Sequence, residues 1–281
     1  MQMWRALALG ALAVGAAGAQ AVTVYGITET RQLVSWDSAT PNQLLSGVFY
    51  SGLASNEQIL GIDFRPANNM LYAVGTFGNI YTLNTTTGAA SFVSSLTTTL
   101  NGTSFGIDFN PVADRLRITS DLDQNLRVNV DTGATVVDGT LNPNNPNIVG
   151  SAYTNNFAGA TSTTLYNVDS VTDSLMIQNP PNAGGQVLVG PLGVNVSAQT
   201  TFDIVGVNTA FMSSQLVGDT ASSFFMVNLA TGTTSNMGFV GSSQSNEALS
   251  IRSMAAVPEP GTMIALGLGL SALIARRRRR A

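Results

Sequence analysis

The segment Gly61-Ile62-Asp63-Phe64-Arg65-Pro66 recurs as Gly106-Ile107-Asp108-Phe109-Asn110-Pro111, and Leu71, Asn84, Thr87 and Gly88 fall on Leu116, Asn129, Thr132 and Gly133 without a gap, all at an offset of 45 residues. A unit of that length cannot bury its apolar face alone, and repeats of roughly 40 to 50 residues are the spacing of propeller blades. A looser element, two apolar residues flanking a variable one and then Asn or Asp followed by Thr, extends the pattern. It occurs at Val34 to Thr40, Tyr81 to Thr87, Leu126 to Thr132 and Phe225 to Thr231. Each copy ends a strand in a turn: the Asn or Asp side chain bonds nearby backbone, and Gly88, Gly133 and Gly232 supply positive φ. Tyr166 to Thr172 is a further copy, expected one strand earlier in its unit because Ser174-Leu175-Met176-Ile177 follows as another strand.

Between these copies, short alternating runs are broken every eight to twelve residues or so by Gly, Asn, Asp, Pro or Thr, and no sustained 3.6-residue apolar period appears. The chain is therefore all-β. Four-stranded units beginning near Ile59, Phe105, Val149 and Phe202 leave three strands in Val22 to Leu53 and one in Ala248 to Met254. Those remainders complete each other, because the C-terminal strand can be the inner strand of a blade whose outer strands come from the N-terminus, hiding the open edges of the sheets. The expectation is a β-propeller of about five blades over residues 22–256, closed by pairing of the two ends. The alternative is a β-sandwich or solenoid, which needs no such pairing.

Histidine and cysteine are absent, and all twelve basic residues are arginine. That removes histidine triads, histidine bases and most zinc chemistry. Within 22–256 six arginines face fifteen carboxylates, so no basic stripe exists to neutralise a nucleic acid backbone. Chemistry must then use oxygen ligands, amides, hydroxyls and a few guanidiniums. Asp63, Asp108 and Asp203 take equivalent inner-strand places and would gather near a propeller axis. They are the candidates for a calcium site, with Asn155 or Asn156 as further oxygen donors. The preferred reading is structural, since Asp in this setting orders blade turns through backbone amides. Asp121-Leu122-Asp123-Gln124-Asn125 is oxygen-rich but lacks the Gly and distal Glu of a calcium loop. Paired carboxylates for glycoside hydrolysis are not evident around Glu29, Glu57 or Glu247. Arg65, Arg115, Arg117 and Arg127 are either ligands for a carboxylated sugar or partners of Asp114 and its neighbours. No cofactor other than calcium is implied.

Both ends carry targeting patterns. Arg5, the apolar run Ala6 to Ala17 and the small residues around Ala19 and Ala21 describe a signal peptide over 1–21 read by the Sec export machinery, cleaved after Ala19 or Ala21. At the other end Val257-Pro258-Glu259-Pro260, an apolar stretch from Gly261 to Ala275 and Arg276, Arg277, Arg278, Arg279 and Arg280 follow in order. About 20 apolar residues make a comfortable span, so this stretch suits a temporary anchor in the inner membrane with the arginines as cytoplasmic stop. The tail over 257–281 resembles the PEP-CTERM sorting signal of Gram-negative bacteria. The resemblance implies that exosortase recognises Pro258, Glu259 and Pro260 and passes the protein to the cell surface or an exopolysaccharide matrix. The body is similar to an uncharacterised family of exported bacterial proteins through Gly61 to Pro66, Phe109 to Arg115 and Tyr153-Thr154-Asn155, a resemblance that transfers no catalytic residue. The functional expectation is an exported, non-enzymatic, surface or matrix-associated binding or scaffold module, with exopolysaccharide as a possible partner. The alternative is a carbohydrate-active enzyme of glycoside hydrolase type.

Overall fold

The computed structural model describes residues 21–242 and 247–258. The chain opens with Thr23–Thr28 (β1), Gln32–Asp37 (β2) and Thr40–Phe49 (β3). Next come Ile59–Arg65 (β4), Met70–Gly75 (β5), Asn79–Leu83 (β6) and Ala90–Ser95 (β7), then Phe105–Asn110 (β8), Arg115–Ser120 (β9), Asn125–Val128 (β10) and Thr135–Val137 (β11). Ile148–Tyr153 (β12), Leu165–Asp169 (β13), Ser174–Gln178 (β14) and Gln186–Pro191 (β15) precede Val196–Val205 (β16), Thr209–Leu216 (β17), Ser222–Val227 (β18) and Thr234–Phe239 (β19). A hairpin of Gly241–Ser242 (β20) and Glu247–Ala248 (β21) leads to Ile251–Ala256 (β22). These strands make five antiparallel sheets of four, the first in the order β22-β1-β2-β3 and the rest in chain order from the inside outward or its reverse.

The inner strands β22, β4, β8, β12 and β16 lie side by side in a closed ring. Closure comes from β22, whose Ala256 pairs with Val24 and whose Met254 pairs with Gly26. The protein is thus a five-bladed β-propeller, and the sandwich and solenoid alternatives fall with the pairing of the ends. The closing strand lies further along than the sequence pattern placed it, because Ala248 is taken by the hairpin opposite Gly241 while Ala255 and Ala256 complete the sheet. The last blade likewise begins at Val196, with a register break before Thr200. The Tyr166 copy of the turn follows the second strand of its blade, whereas the other copies follow the third.

The repeated turns behave as their chemistry requires. Asn84 Oδ1 accepts from the amides of Thr86 and Thr87, Asn129 Oδ1 from Asp131, and Asn228 Oδ1 from Ala230. Gly88, Gly133 and Gly232 have φ of 70°, 75° and 82°. They serve a second purpose, since each turn presses on the outer strand of the preceding blade: a Cβ on Gly133 would lie 1.8 Å from the Ser95 carbonyl oxygen. Gly133→Ala therefore combines left-handed backbone strain with a displaced carbonyl. A loss of about 2 kcal/mol is expected in urea unfolding; an unchanged midpoint would show that the turn is not held by this contact.

Four of the spaces between blades are apolar. Tyr72, Val74 and Ile80 meet Phe109 and Ile118 between the second and third blades, and Leu33, Tyr81 and Ala255 belong to the core between the first and second. Val168 and Leu175 meet Phe202 and Phe225 between the fourth and fifth, and Trp36 packs edge-on against Phe224 between the fifth and first. Burying such side chains contributes roughly 1.5–3 kcal/mol each. Between the third and fourth blades the buried side chains are instead Asp108, Arg117, Thr119, Asn125, Ser151, Asn167 and Gln178. This wedge is polar.

Candidate functional site

The axial carboxylates come from three of the five inner strands. Asp63 accepts from the Phe109 amide of the next blade at 2.6 Å, Asp108 from Tyr153 at 3.1 Å and Asp203 from Ala256 at 2.6 Å. In each case the amide follows the next blade's equivalent position, so the ring at this level reads Ala255, Asp63, Asp108, Ala152, Asp203. An inner strand has an unpaired edge, and these carboxylates satisfy amides that no further strand can reach. Asp63 and Asp203 also accept from the amides of Phe64 and Ile204. One oxygen from each Asp lies within 4.8 Å of the others, and all three residues are buried.

Such crowding without a paired cation disfavours charge. Burial pushes the Asp63 carboxyl well above the usual range, and the Asp203 charge adds to it against the pull of two amides. Burial does the same to Asp108, helped by the charges of Asp63 and Asp203. Burial raises Asp203 from 3.8 to about 6, with the amides of Ala256 and Ile204 and a hydrogen bond from Asp108 restraining the rise. Burial and mutual repulsion thus favour the protonated forms of Asp63 and Asp108 most. Calcium takes six to eight oxygens, whereas here the two remaining ring positions are alanine and the neighbouring amides present N–H groups. Asn155 is committed through its side chain to the Ser162 carbonyl, and Asn156 is buried at a bridge to Gly206.

The other candidates disperse. Asp121 is held by the Thr103 amide and hydroxyl, while Asn125 turns to Arg117 and the carbonyls of Gly139 and Pro181, so the oxygen-rich loop does not converge. Glu29 pairs with Arg252. Glu57 is fully buried and accepts from the Phe77 amide, Asn79 and Tyr81. Arg65 forks onto Asp114 and also grips Asp131, the pairing expected for it with Asp114.

Sequence spacing missed the polar wedge. Arg117, 1% exposed, donates to Asp138 and Asn125 at 2.7 Å, to Asn182 at 2.9 Å and to the Tyr153 hydroxyl at 3.2 Å. Arg127, its cross-strand neighbour, forks onto the same Asp138. Burial alone would raise the Asp138 carboxyl, but Arg127 and Arg117 overrule it and hold it below the usual range. The network continues inward from Asn125 through Gln178 and Asn167 to Ser151 and Thr119. The signal was present only as substitutions within the repeat, where Arg117 and Arg127 stand in the places of Tyr72 and Thr82.

Val257 donates its amide to the Thr23 carbonyl at 2.9 Å and Pro258 is buried. The remaining sorting residues Glu259, Pro260 and Arg276 to Arg280, the apolar stretch between them, and Ala19 of the signal peptide lie outside the described residues. Among the described residues no helix is long and apolar enough to cross a membrane.

A family model described as Domain of unknown function (DUF4394) matches residues 32–250, and the PEP-CTERM protein-sorting motif matches residues 256–280. That motif implies an exported protein, anchored transiently in a membrane before exosortase processing. No curated protein matches the chain. Among solved structures, it is similar to a structural genomics protein of unknown function from Bacteroides thetaiotaomicron VPI-5482, at 13% identity and TM-score 0.49 over 68% of this chain and 53% of that one. It is also similar to the Dos1 propeller, at 10% identity and TM-score 0.40 over 76% and 60%, and to the glutaminyl cyclase of Myxococcus xanthus, at 15% identity and TM-score 0.38 over 67% and 71%. The chain thus spans 53% and 60% of the lengths of the first two.

Proposed function

This chain belongs to the DUF4394 family, and from that premise we propose that it is a surface or matrix-associated binding module without catalytic activity of its own, delivered by its sorting tail. The observation that carries the reading is the position of the tail. The propeller's closing strand ends at Ala256, where the matched sorting motif begins, so processing after that point releases a ring that keeps all five inner strands. A closed ring is a rigid platform for loops, and its Ser, Thr and Asn-rich exterior suits hydrogen bonding to polar polymers. The absence of catalysis is favoured by the carboxylates. Those gathered at the axis are buried and bonded to backbone amides, a poor setting for a pair that must flank a glycosidic bond.

Intact-mass measurement on inner-membrane, medium and matrix fractions tests this. The expected species in medium or matrix lacks both the segment before Val22 and the Arg276 to Arg280 block. Full-length chain confined to the inner membrane would overturn the reading, and so would turnover of a polysaccharide by the purified protein.

A further inference from the structure

We propose that the outer mouth of the wedge between the third and fourth blades binds a carboxylated sugar residue. This deepens the binding-module reading and rests on it. A cavity of about 160 Å³ opens there, lined by Asn110, Arg115, Arg117, Arg127, Tyr153 and Asn182. At roughly 30 Å³ per water it holds on the order of five waters, the bulk of one sugar ring. Half of the six arginines between residues 22 and 256 of this acidic protein therefore surround one small cavity.

Their donors are incompletely used. Arg117 commits all but one N–H, whereas Arg127 uses only Nε and one N–H of Nη2, both on Asp138. Arg115 is exposed and donates through Nη1 alone, to the carbonyls of Ala113 and Asp114. Asp138 is the carboxylate facing Arg117 and Arg127, while Asp131, which Arg115 also influences, is gripped by Arg65. Arg117 and Arg127 thus share the one carboxylate of Asp138 while the Arg115 guanidinium is held only by backbone carbonyls, leaving positive charge and forked donors that match a planar carboxylate. The Tyr153 hydroxyl, which accepts from Arg117, keeps its proton to donate. The side-chain amides of Asn110 and Asn182 accept through their oxygens and keep N–H groups for hydroxyl oxygens.

The internal repeat is the control for folding. At the 45-residue offset, Arg115, Arg117 and Arg127 correspond to Met70, Tyr72 and Thr82, and the second blade forms the same four-stranded sheet with those residues. The four-stranded sheet itself forms without arginine at these positions, and whereas Arg117 is spent on joining the blades, Arg115 and the unused donors of Arg127 face the cavity and are open to a ligand. By contrast Arg65, between the second and third blades, has its guanidinium saturated by Asp114, Asp131 and the Tyr72 hydroxyl.

Calorimetric titration of the purified processed protein with glucuronate, glucose and inorganic phosphate tests the assignment. Glucuronate is expected to bind at least about tenfold more tightly than either control. Arg115→Met and Arg127→Thr, the residues the repeat itself uses, are each expected to weaken it by about tenfold, Arg115→Met with an unchanged melting curve and Arg127→Thr with a lower melting temperature, because it also takes one of the two guanidiniums from Asp138. No glucuronate binding, equal binding of glucose, tighter binding of phosphate, or full affinity in both variants would overturn the proposal. The titration is made in solution, so its failure would leave the sorting result untouched, and mis-sorting would leave the binding measurable.

Discussion

Arg117→Ala is expected to destabilise the propeller by about 3–5 kcal/mol, the usual cost of removing one partner from a buried ion pair. The side chain is 2% exposed and its guanidinium joins two blades through Asp138, Asn125, Asn182 and Tyr153. Its removal leaves Asp138 with Arg127 alone, leaves the Asn125 oxygen with Gln178 alone and strands the Asn182 oxygen, in a wedge whose buried side chains are mostly polar. At about 2–4 °C per kcal/mol for a domain of this size, the melting temperature should fall by about 10 °C. Arg117→Lys should recover only part, because an ammonium cannot fork to partners on both sides. A measured loss under about 0.5 kcal/mol for the alanine variant would mean that the polar wedge does not hold the two blades together.

Stability should also fall as pH rises above the ordinary carboxylate range, opposite to the behaviour of salt-bridged carboxylates. Asp203 titrates near 3.8 when unfolded and at about 6 in the ring, so the folded state holds the extra proton between those values. Its contribution is complete below about 4 and is lost as pH climbs through about 6. At 1.36 kcal/mol per unit the loss is on the order of 3 kcal/mol. Asp63 and Asp108, raised by burial and by their neighbours' charges, carry the decline further upward. Asp131 and Asp138 act in the other direction: their carboxyls are held low, and their contribution disappears only as pH falls below the ordinary range. The melting temperature is thus expected to peak in mild acid and drop toward pH 8.

Asp108→Asn imitates the protonated acid, keeping an oxygen for the Tyr153 amide and an N–H for Asp203. It should raise the pH 8 melting temperature and flatten the decline. A flat profile in the parent protein would contradict the burial argument. Millimolar calcium is expected to leave the melting temperature unchanged at pH 8; a rise that Asp108→Asn abolishes would make the cluster a cation site instead.

Local chemistry was readable wherever it repeated. The Gly-Ile-Asp-Phe segments at 61 and 106 announced the blades, the Asn, Thr and Gly of each turn announced where the third strand ends, and the tail announced sorting. The shared place of Asp63, Asp108 and Asp203 was legible for the same reason. What escaped was everything formed by elements that do not repeat. Glu57 is anchored by Tyr81 and Asn79 beneath Gly75, where a Cβ would stand 2.1 Å from its oxygen, and no spacing rule links those residues. Arg117 meets Asn182 across 65 positions, and its setting exists only because two neighbouring blades face each other there.

The sequence by itself therefore determined the class of fold, the blade count and the C-terminal sorting motif, because strand alternation, turn residues and a short motif act over a few neighbouring residues. Tertiary structure alone decided how far burial and mutual charge raise the axial carboxyls and which wedge is polar. Those outcomes depend on ring closure, which brings distant inner strands within hydrogen-bond range and excludes the water that would otherwise screen their charges.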